Sequence, residues 1–214
     1  MGINRSTLFF GDNLRILKNH IADNSIDLIY LDPPFNSKAS YNVLFEELTG
    51  DKSKAQIEAF DDTWHWTEES ERAFKEIVDN APSEAVDMIL AFRKFIKQND
   101  VMAYLTMMTI RLLELHRVLK STGTLYLHCD PTASHYLKVV MDTIFGVKNF
   151  MNEIVWVRNS GSIGRTAFSK RHDILLVYNK TESYFYDGKA VGDLREQNEG
   201  TFGGYFGTDP DGRR

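Results

Sequence analysis

The sequence predicts an α/β protein, a mostly parallel, doubly wound sheet that ends in an antiparallel strand pair. Three observations carry that prediction. Short β-prone runs alternate with helical patterns as far as His128. The run Ile26–Leu31 (Ile-Asp-Leu-Ile-Tyr-Leu) is nearly continuous in apolar residues, as expected for a parallel strand covered on both faces by helices. Two further apolar runs, 153–157 and 174–178, have no helical pattern between them and read as the closing pair.

The elements follow in order. Residues 7–10 are apolar and β-prone and run into Gly11-Asp12, a strand ending in a polar loop. Leu14, Ile16, Leu17 and Ile21 recur at three-to-four spacing, a helix that stops near Asp23-Asn24-Ser25. The strand Ile26–Leu31 breaks at Asp32-Pro33-Pro34, because proline cannot donate to a ladder or enter a helix interior. Residues 36–66 are polar and aperiodic, a long loop with one short helix. From 68 to 119 the pattern is helical, and breaks at 80–83 and at Asn99-Asp100 divide it into three helices. Residues 120–123 form a helix-ending turn before a buried strand at 124–128. Pro131 opens the next helix, with Tyr136, Val139, Val140, Thr143 and Ile144 as its apolar face and Gly146 as its stop. Beyond Lys180 aliphatic residues thin out and no pattern is readable.

Bulk properties narrow the function. At 214 residues and 43 % apolar composition the chain can bury one sizeable core plus an appendage. No run approaches the roughly 20 apolar residues of a membrane helix and no secretion signal opens the chain, so a soluble, cytoplasmic protein is expected. The single Cys129 forms no internal disulfide and has no companion cysteine for a cluster, so no metal is expected. A net charge of −5 argues against strong non-specific attraction to polyanions. The charge is uneven, however: residues 46–87 hold 13 acids against 4 bases, and residues 151–180 hold 5 bases against 2 acids. Nucleic acid would therefore meet the later segment, unless both are ordinary solvated faces.

In an open α/β sheet ligands bind beyond the carboxyl ends of the strands. Gly11-Asp12, Asp32-Pro33-Pro34-Phe35 and His128-Cys129-Asp130 all occupy such ends. Two prolines hold the Asp32 carboxylate and the Pro33 carbonyl as a rigid acceptor pair, suited to the two N–H donors of an exocyclic amine. Binding both hydrogens aims the nitrogen lone pair at an electrophile by orientation and electrostatics. Phe35 offers a face on which an extruded base can stack. The alternative is a proline-rich turn whose Asp caps a neighbour and whose Phe enters the core. His128 and Asp130 read as a hydrogen-bonded structural pair, and Trp64 and Trp66 as packing for the long loop.

Gly-Asp-Asn-Leu, followed by Asn-Ser-Ile-Asp-Leu-Ile-Tyr-Leu-Asp-Pro-Pro-Phe-Asn, resembles the opening of the permuted (β-group) DNA amino-methyltransferases that use S-adenosylmethionine. The likeness continues through Gly-Thr-Leu-Tyr-Leu-His-Cys-Asp-Pro from Gly123 and through Phe168-x-x-x-His172-Asp-Ile-Leu-Leu-Val-Tyr-x-Lys180, and it covers about residues 7 to 180. The resemblance implies a Rossmann-like methyltransferase fold and a site-specific enzyme of a restriction-modification or related system. An Asp at the head of the tetrapeptide implies adenine N6 as the methylated atom, with cytosine N4 as the alternative. Asp32, Pro33, Pro34 and Phe35 would be catalytic, and Asp12 and Asp32 would lie against the methyl donor. Phe168 would hold the flipped base, and Arg158, Arg165, Lys170 and Arg171 would contact double-stranded DNA. Asp12 as a plain turn residue and Phe168 as a hairpin contact remain the other readings. Residues 1–180 would be the catalytic domain with a helical insertion at about 46–98, and 181–214 the start of a target-recognition region or linker.

One departure stands out. The family's main cofactor signature, a Phe-x-Gly-x-Gly strand end, is absent. The catalytic fold is thus expected to be incomplete at the C-terminus: either the sequence is part of a longer gene product, or a homodimer mate or a second chain supplies the missing segment, or the chain is a catalytically silent DNA-binding or assembly fragment. A sheet lacking a strand would expose apolar surface and an unpaired edge.

Overall fold

A computed structural model describes residues 6–34, 40–43, 57–61, 65–158 and 171–191. The chain divides into two compact units, residues 1–184 and 185–214, and the described part of the second holds one short helix, Gly188–Val191. The first unit runs α1 (Asn13–His20), β1 (Ile26–Leu31), β2 (Ser40–Val43), β3 (Ile57–Asp61), α2 (Glu68–Asn80), α3 (Ser83–Ile96), α4 (Asp100–Val118), β4 (Leu119–Cys129), α5 (Ser134–Phe145), β5 (Phe150–Val157) and β6 (His172–Asn179). No helix among the described residues is long and apolar enough to cross a membrane.

The main sheet corrects the predicted fold class. It has four strands in the order β1-β4-β6-β5, and only β1 and β4 are parallel. β6 is antiparallel to both β4 and β5, so the sheet is mixed and mostly antiparallel rather than parallel and doubly wound. The reason lies in the last hairpin. The crossover through α5 returns β5 in the direction of β4, as a parallel fold requires. β6 then folds back and inserts between the two, replacing a parallel neighbour by two antiparallel ones. The antiparallel β5–β6 pair itself is present.

Other expectations also shift. Residues 7–10 form no strand; Leu8 is 96 % and Phe10 86 % exposed, and a β-prone run with no partner stays coil. In the stretch expected as a loop, β2 and β3 form a small antiparallel sheet with Tyr41 opposite Phe60; such short strands carry too little alternation to be read. The expected turn at 120–123 is a bulge: Ile26 faces Leu119 and Leu28 faces Thr124, so β4 carries three extra residues there. Gly123 permits it, since a Cβ at that position would lie 2.6 Å from Leu119 Cδ1 and 3.0 Å from the Asp27 carbonyl oxygen. In α5 the buried face is Leu137, Val140, Met141 and Phe145, rotated from the predicted one, and Val139 is exposed.

The three predicted central helices form, each with an identifiable start. Thr67 caps α2 by accepting from the Ser70 N–H, and three glutamates in the first turn complement the helix dipole. Asn99 caps α4 by accepting from the Met102 N–H. α4 is apolar around most of its circumference because it is the central helix of the core. Its Met102, Leu105, Leu112 and Leu115 share one cluster with Leu125 and Leu127 of β4, Leu176 and Tyr178 of β6, and Leu137 and Met141 of α5.

One end of the sheet is clamped. Asn24 and Ser25 donate their N–H groups to the Arg117 and Val118 carbonyls at the end of α4. Arg117 donates to the Leu17 and Ile21 carbonyls and pairs with Asp23 and Glu114. Lys180, just beyond β6, places its Nζ 2.6 Å from the Leu119 carbonyl and 2.9 Å from Asn24 Oδ1. Replacing Lys180 by Met leaves those acceptors without their donor and is expected to lower stability by about 1–3 kcal/mol. Urea unfolding checks this, and an unchanged midpoint would remove the clamp from the account.

Candidate active site

The opposite end of the sheet carries charge. β1 and β4 run in parallel with Leu31 opposite Leu127, so the next residues, Asp32 and His128, emerge side by side. β6 starts beside them, because it runs antiparallel to β4 with His128 opposite Leu175. Its second residue, Asp173, therefore reaches the same point. The contacts follow: His128 Nδ1 lies 3.3 Å from Asp32 Oδ1, and His128 Nε2 lies 3.6 Å from Asp173 Oδ2. Arg158 Nη2 closes the row at 3.1 Å from Asp173 Oδ1. The Tyr30 hydroxyl sits 3.3 Å from the same His128 Nδ1.

Burial is graded along this row. The Asp32 side chain is 58 % exposed, that of His128 18 % and that of Asp173 8 %. Pro33 is buried and Pro34 half-buried. An outward carboxylate thus stands on an anchored proline turn, with progressively drier partners behind it. Burial raises the Tyr30 phenol above its usual range, and the Asp32 charge adds to the rise. Burial pushes the neighbouring Cys129 thiol up to about 12, helped by Asp130, Glu153 and Asp173.

His128 and Asp130 do not form the expected pair. The Asp130 carboxylate accepts from the Ala133 N–H at 3.0 Å and its carbonyl from the Ser134 N–H, which satisfies amides at the start of α5. His128 faces β1 and β6 instead.

Asp12 occupies a separate position. One carboxylate oxygen caps α1 by accepting from the Arg15 N–H at 3.1 Å, and the other is 2.5 Å from Arg111 Nη2. Arg111, 8 % exposed, also donates to Asn13 Oδ1 and to the Met107 carbonyl. The expected site residues do not include it, although an arginine inside the apolar run of α4 must find partners when buried and so carries a signal. Arg158, expected against DNA, is engaged by Asp173, and the exposed Arg171 accepts from the Arg158 N–H through its carbonyl. Phe35, Phe168, Arg165, Lys170 and Trp64 lie outside the described residues. Trp66 packs edge-on against Phe74 beneath the Arg93 guanidinium, as the packing reading expects. Beside β1 runs a groove of about 400 Å³ whose lining includes Phe9, Gly11, Asn13, Leu28 and Tyr30.

Comparison with known proteins adds a family. A profile described as DNA methylase matches residues 26–202. The Type II methyltransferase M.KpnI of Klebsiella pneumoniae is 29 % identical over 180 residues, 83 % of this chain and 33 % of that protein. The StyLTI Mod subunit, a Type III restriction-modification enzyme of Salmonella typhimurium, is 31 % identical over 184 residues, 83 % of this chain and 24 % of that protein. The chain thus spans a third or less of these relatives. Among solved structures, the PvuII DNA methyltransferase (cytosine-N4-specific) aligns with a TM-score of 0.49 at 11 % identity, over 88 % of this chain and 54 % of that one. That likeness bears on neither substrate nor mechanism.

Two outcomes follow from the geometry. Arg111→Ala is expected to lower stability by about 1–3 kcal/mol through lost charge-assisted hydrogen bonds; equal denaturation curves for the two proteins would contradict this. Cys129 should react with a thiol reagent at pH 8 at least ~100-fold more slowly in the folded protein than in denaturant, because the buried thiol holds its proton. Stoichiometric labelling within minutes under native conditions would show the burial to be wrong.

Proposed function

The chain belongs to the DNA methylase family, and on that premise we propose that the protein transfers a methyl group from S-adenosylmethionine to adenine N6 within a specific DNA sequence, as part of a restriction-modification system. The observation that carries this reading is the exposed Asp32 carboxylate on the rigid tip of β1. In this reading one carboxylate oxygen and the Pro33 carbonyl accept the two amine hydrogens, and the nitrogen lone pair turns out of the ring system toward the donor. Asp32 remains an acceptor throughout, and the proton shed by the methylated nitrogen has this carboxylate as a neighbouring base. Phe35 and Phe168 would hold the extruded base, and Arg165, Lys170 and Arg171 would meet phosphate. Residues 1–180 would be the catalytic part and 181–214 the beginning of the region that recognises the target.

The described residues fit one side of the methyl donor. The outward Asp32 carboxylate suits a nearby sulfonium cation, and the apolar walls of the groove at Phe9, Leu28 and Tyr30 suit a purine ring. Asp12 stands between the groove residues Gly11 and Asn13 and is held by Arg111. When bound, S-adenosylmethionine supplies an electrophilic methyl group. The preference for adenine rests on Asp, rather than Ser, at the head of the tetrapeptide.

Radiolabelled methyl transfer to DNA tests the proposal. Asp32→Ala is expected to reduce incorporation at least ~100-fold, the usual consequence of removing a preorganised transition-state contact. Mass analysis of the digested product should find N6-methyladenine. Equal incorporation by both proteins would remove the assigned role, and N4-methylcytosine would replace the assigned base.

A further inference from the structure

We propose that His128 is a positioning residue for Asp32, holding its carboxylate in the orientation that receives the amine. The inference rests on the function proposed above and adds the device that makes an exposed carboxylate precise. A side chain as exposed as Asp32 would otherwise exchange among staggered rotamers. Misplacement of a reacting group by about 1 Å costs on the order of 100-fold in rate.

The geometry supplies the restraint. With a hydrogen on both ring nitrogens, His128 forms an ion pair on either side, Nδ1 3.3 Å from Asp32 Oδ1 and Nε2 3.6 Å from Asp173 Oδ2, and leaves Asp32 Oδ2 for the substrate. The ring in turn cannot swing freely, because the Asp173 carboxylate that pairs with Nε2 is itself tied to Arg158. A carboxylate as buried as Asp173 is costly to the fold unless partnered. Its place at this end of the sheet, against an imidazole and a guanidinium, is explained by the need to fix that imidazole. The Tyr30 hydroxyl hydrogen-bonds the Nδ1 nitrogen at 3.3 Å, sharing it with Asp32, and its ring lies 6.3 Å from that of His128, limiting rotation on the remaining side. The contact is also dictated by topology, because the parallel register that pairs Leu31 with Leu127 brings the two following side chains to one point.

Asparagine and glutamine separate the two ring nitrogens. An Asn amide reaches about as far as Nδ1, and a Gln amide about as far as Nε2. In methyl-transfer assays, His128→Ala and His128→Gln should lower kcat about 10- to 100-fold while KM for DNA changes less than about 3-fold. His128→Asn should stay within about 5-fold of wild type, and Asp32→Ala/His128→Ala should be no slower than Asp32→Ala alone. A wild-type kcat for His128→Ala, with Asp32→Ala inactive, would overturn the role of His128 and leave the proposed function standing. An active Asp32→Ala would overturn that function first. Imidazole nitrogen NMR of this 214-residue chain gives a reading without turnover. Asp32→Asn should move the His128 Nδ1 resonance and Asp173→Asn the Nε2 resonance, and an Nδ1 signal indifferent to Asp32 would sink the proposal even if the alanine variant fails to fold.

Discussion

The parallel register between β1 and β4 is the constraint on which the site depends. With Leu31 opposite Leu127, the two strands end together, and whatever follows them must share a few ångströms of space. Asp32 follows one and His128 the other. A slip of one residue would send alternate side chains to the opposite face and separate the pair. The register is in turn held by the 120–123 bulge, which Gly123 allows by letting the backbone pass close to Leu119 and the Asp27 carbonyl.

The two ends of the sheet divide the labour. At the end with Asn24, Leu119 and Lys180, cationic side chains are spent on backbone carbonyls and helix termini, and the result is rigidity. At the other end the polar groups are matched with one another in a row that grows wetter from Asp173 through His128 to Asp32. Charged groups left in reach of water at the strand tips are what the proposed reaction at an amine would use. The buried core behind them, centred on α4, keeps the strand tips from drifting.

The mixed sheet changes how the neighbourhood of the site is built. In an all-parallel arrangement a third strand end would have stood beside β4; here it is the beginning of β6, and so Asp173, with Arg158 paired to it, comes to the site. Among the described residues β1 pairs on one side only, and its Leu28 and Tyr30 are 60 % and 57 % exposed. β5, at the far edge, exposes Val155, Trp156 and Val157. Such edges favour association unless covered.

What the sequence determined by itself was local. Asp32-Pro33-Pro34 had to end a strand, because proline can neither continue a ladder nor enter a helix, and the three central helices had to begin and end near residues that cap or break them. Those properties reside in a few consecutive residues and need no knowledge of the rest of the chain. The tertiary structure alone decided that β6 lies between β4 and β5, that Arg111 holds Asp12, and that His128 joins Asp32 to Asp173 rather than pairing with Asp130. Tyr30 and His128 are 98 residues apart in the chain, and hydrophobic periodicity carries no information over that distance. Periodicity reports which face of an element is apolar; which elements become neighbours is settled by the free energy of the whole core, where strand order and register are chosen together.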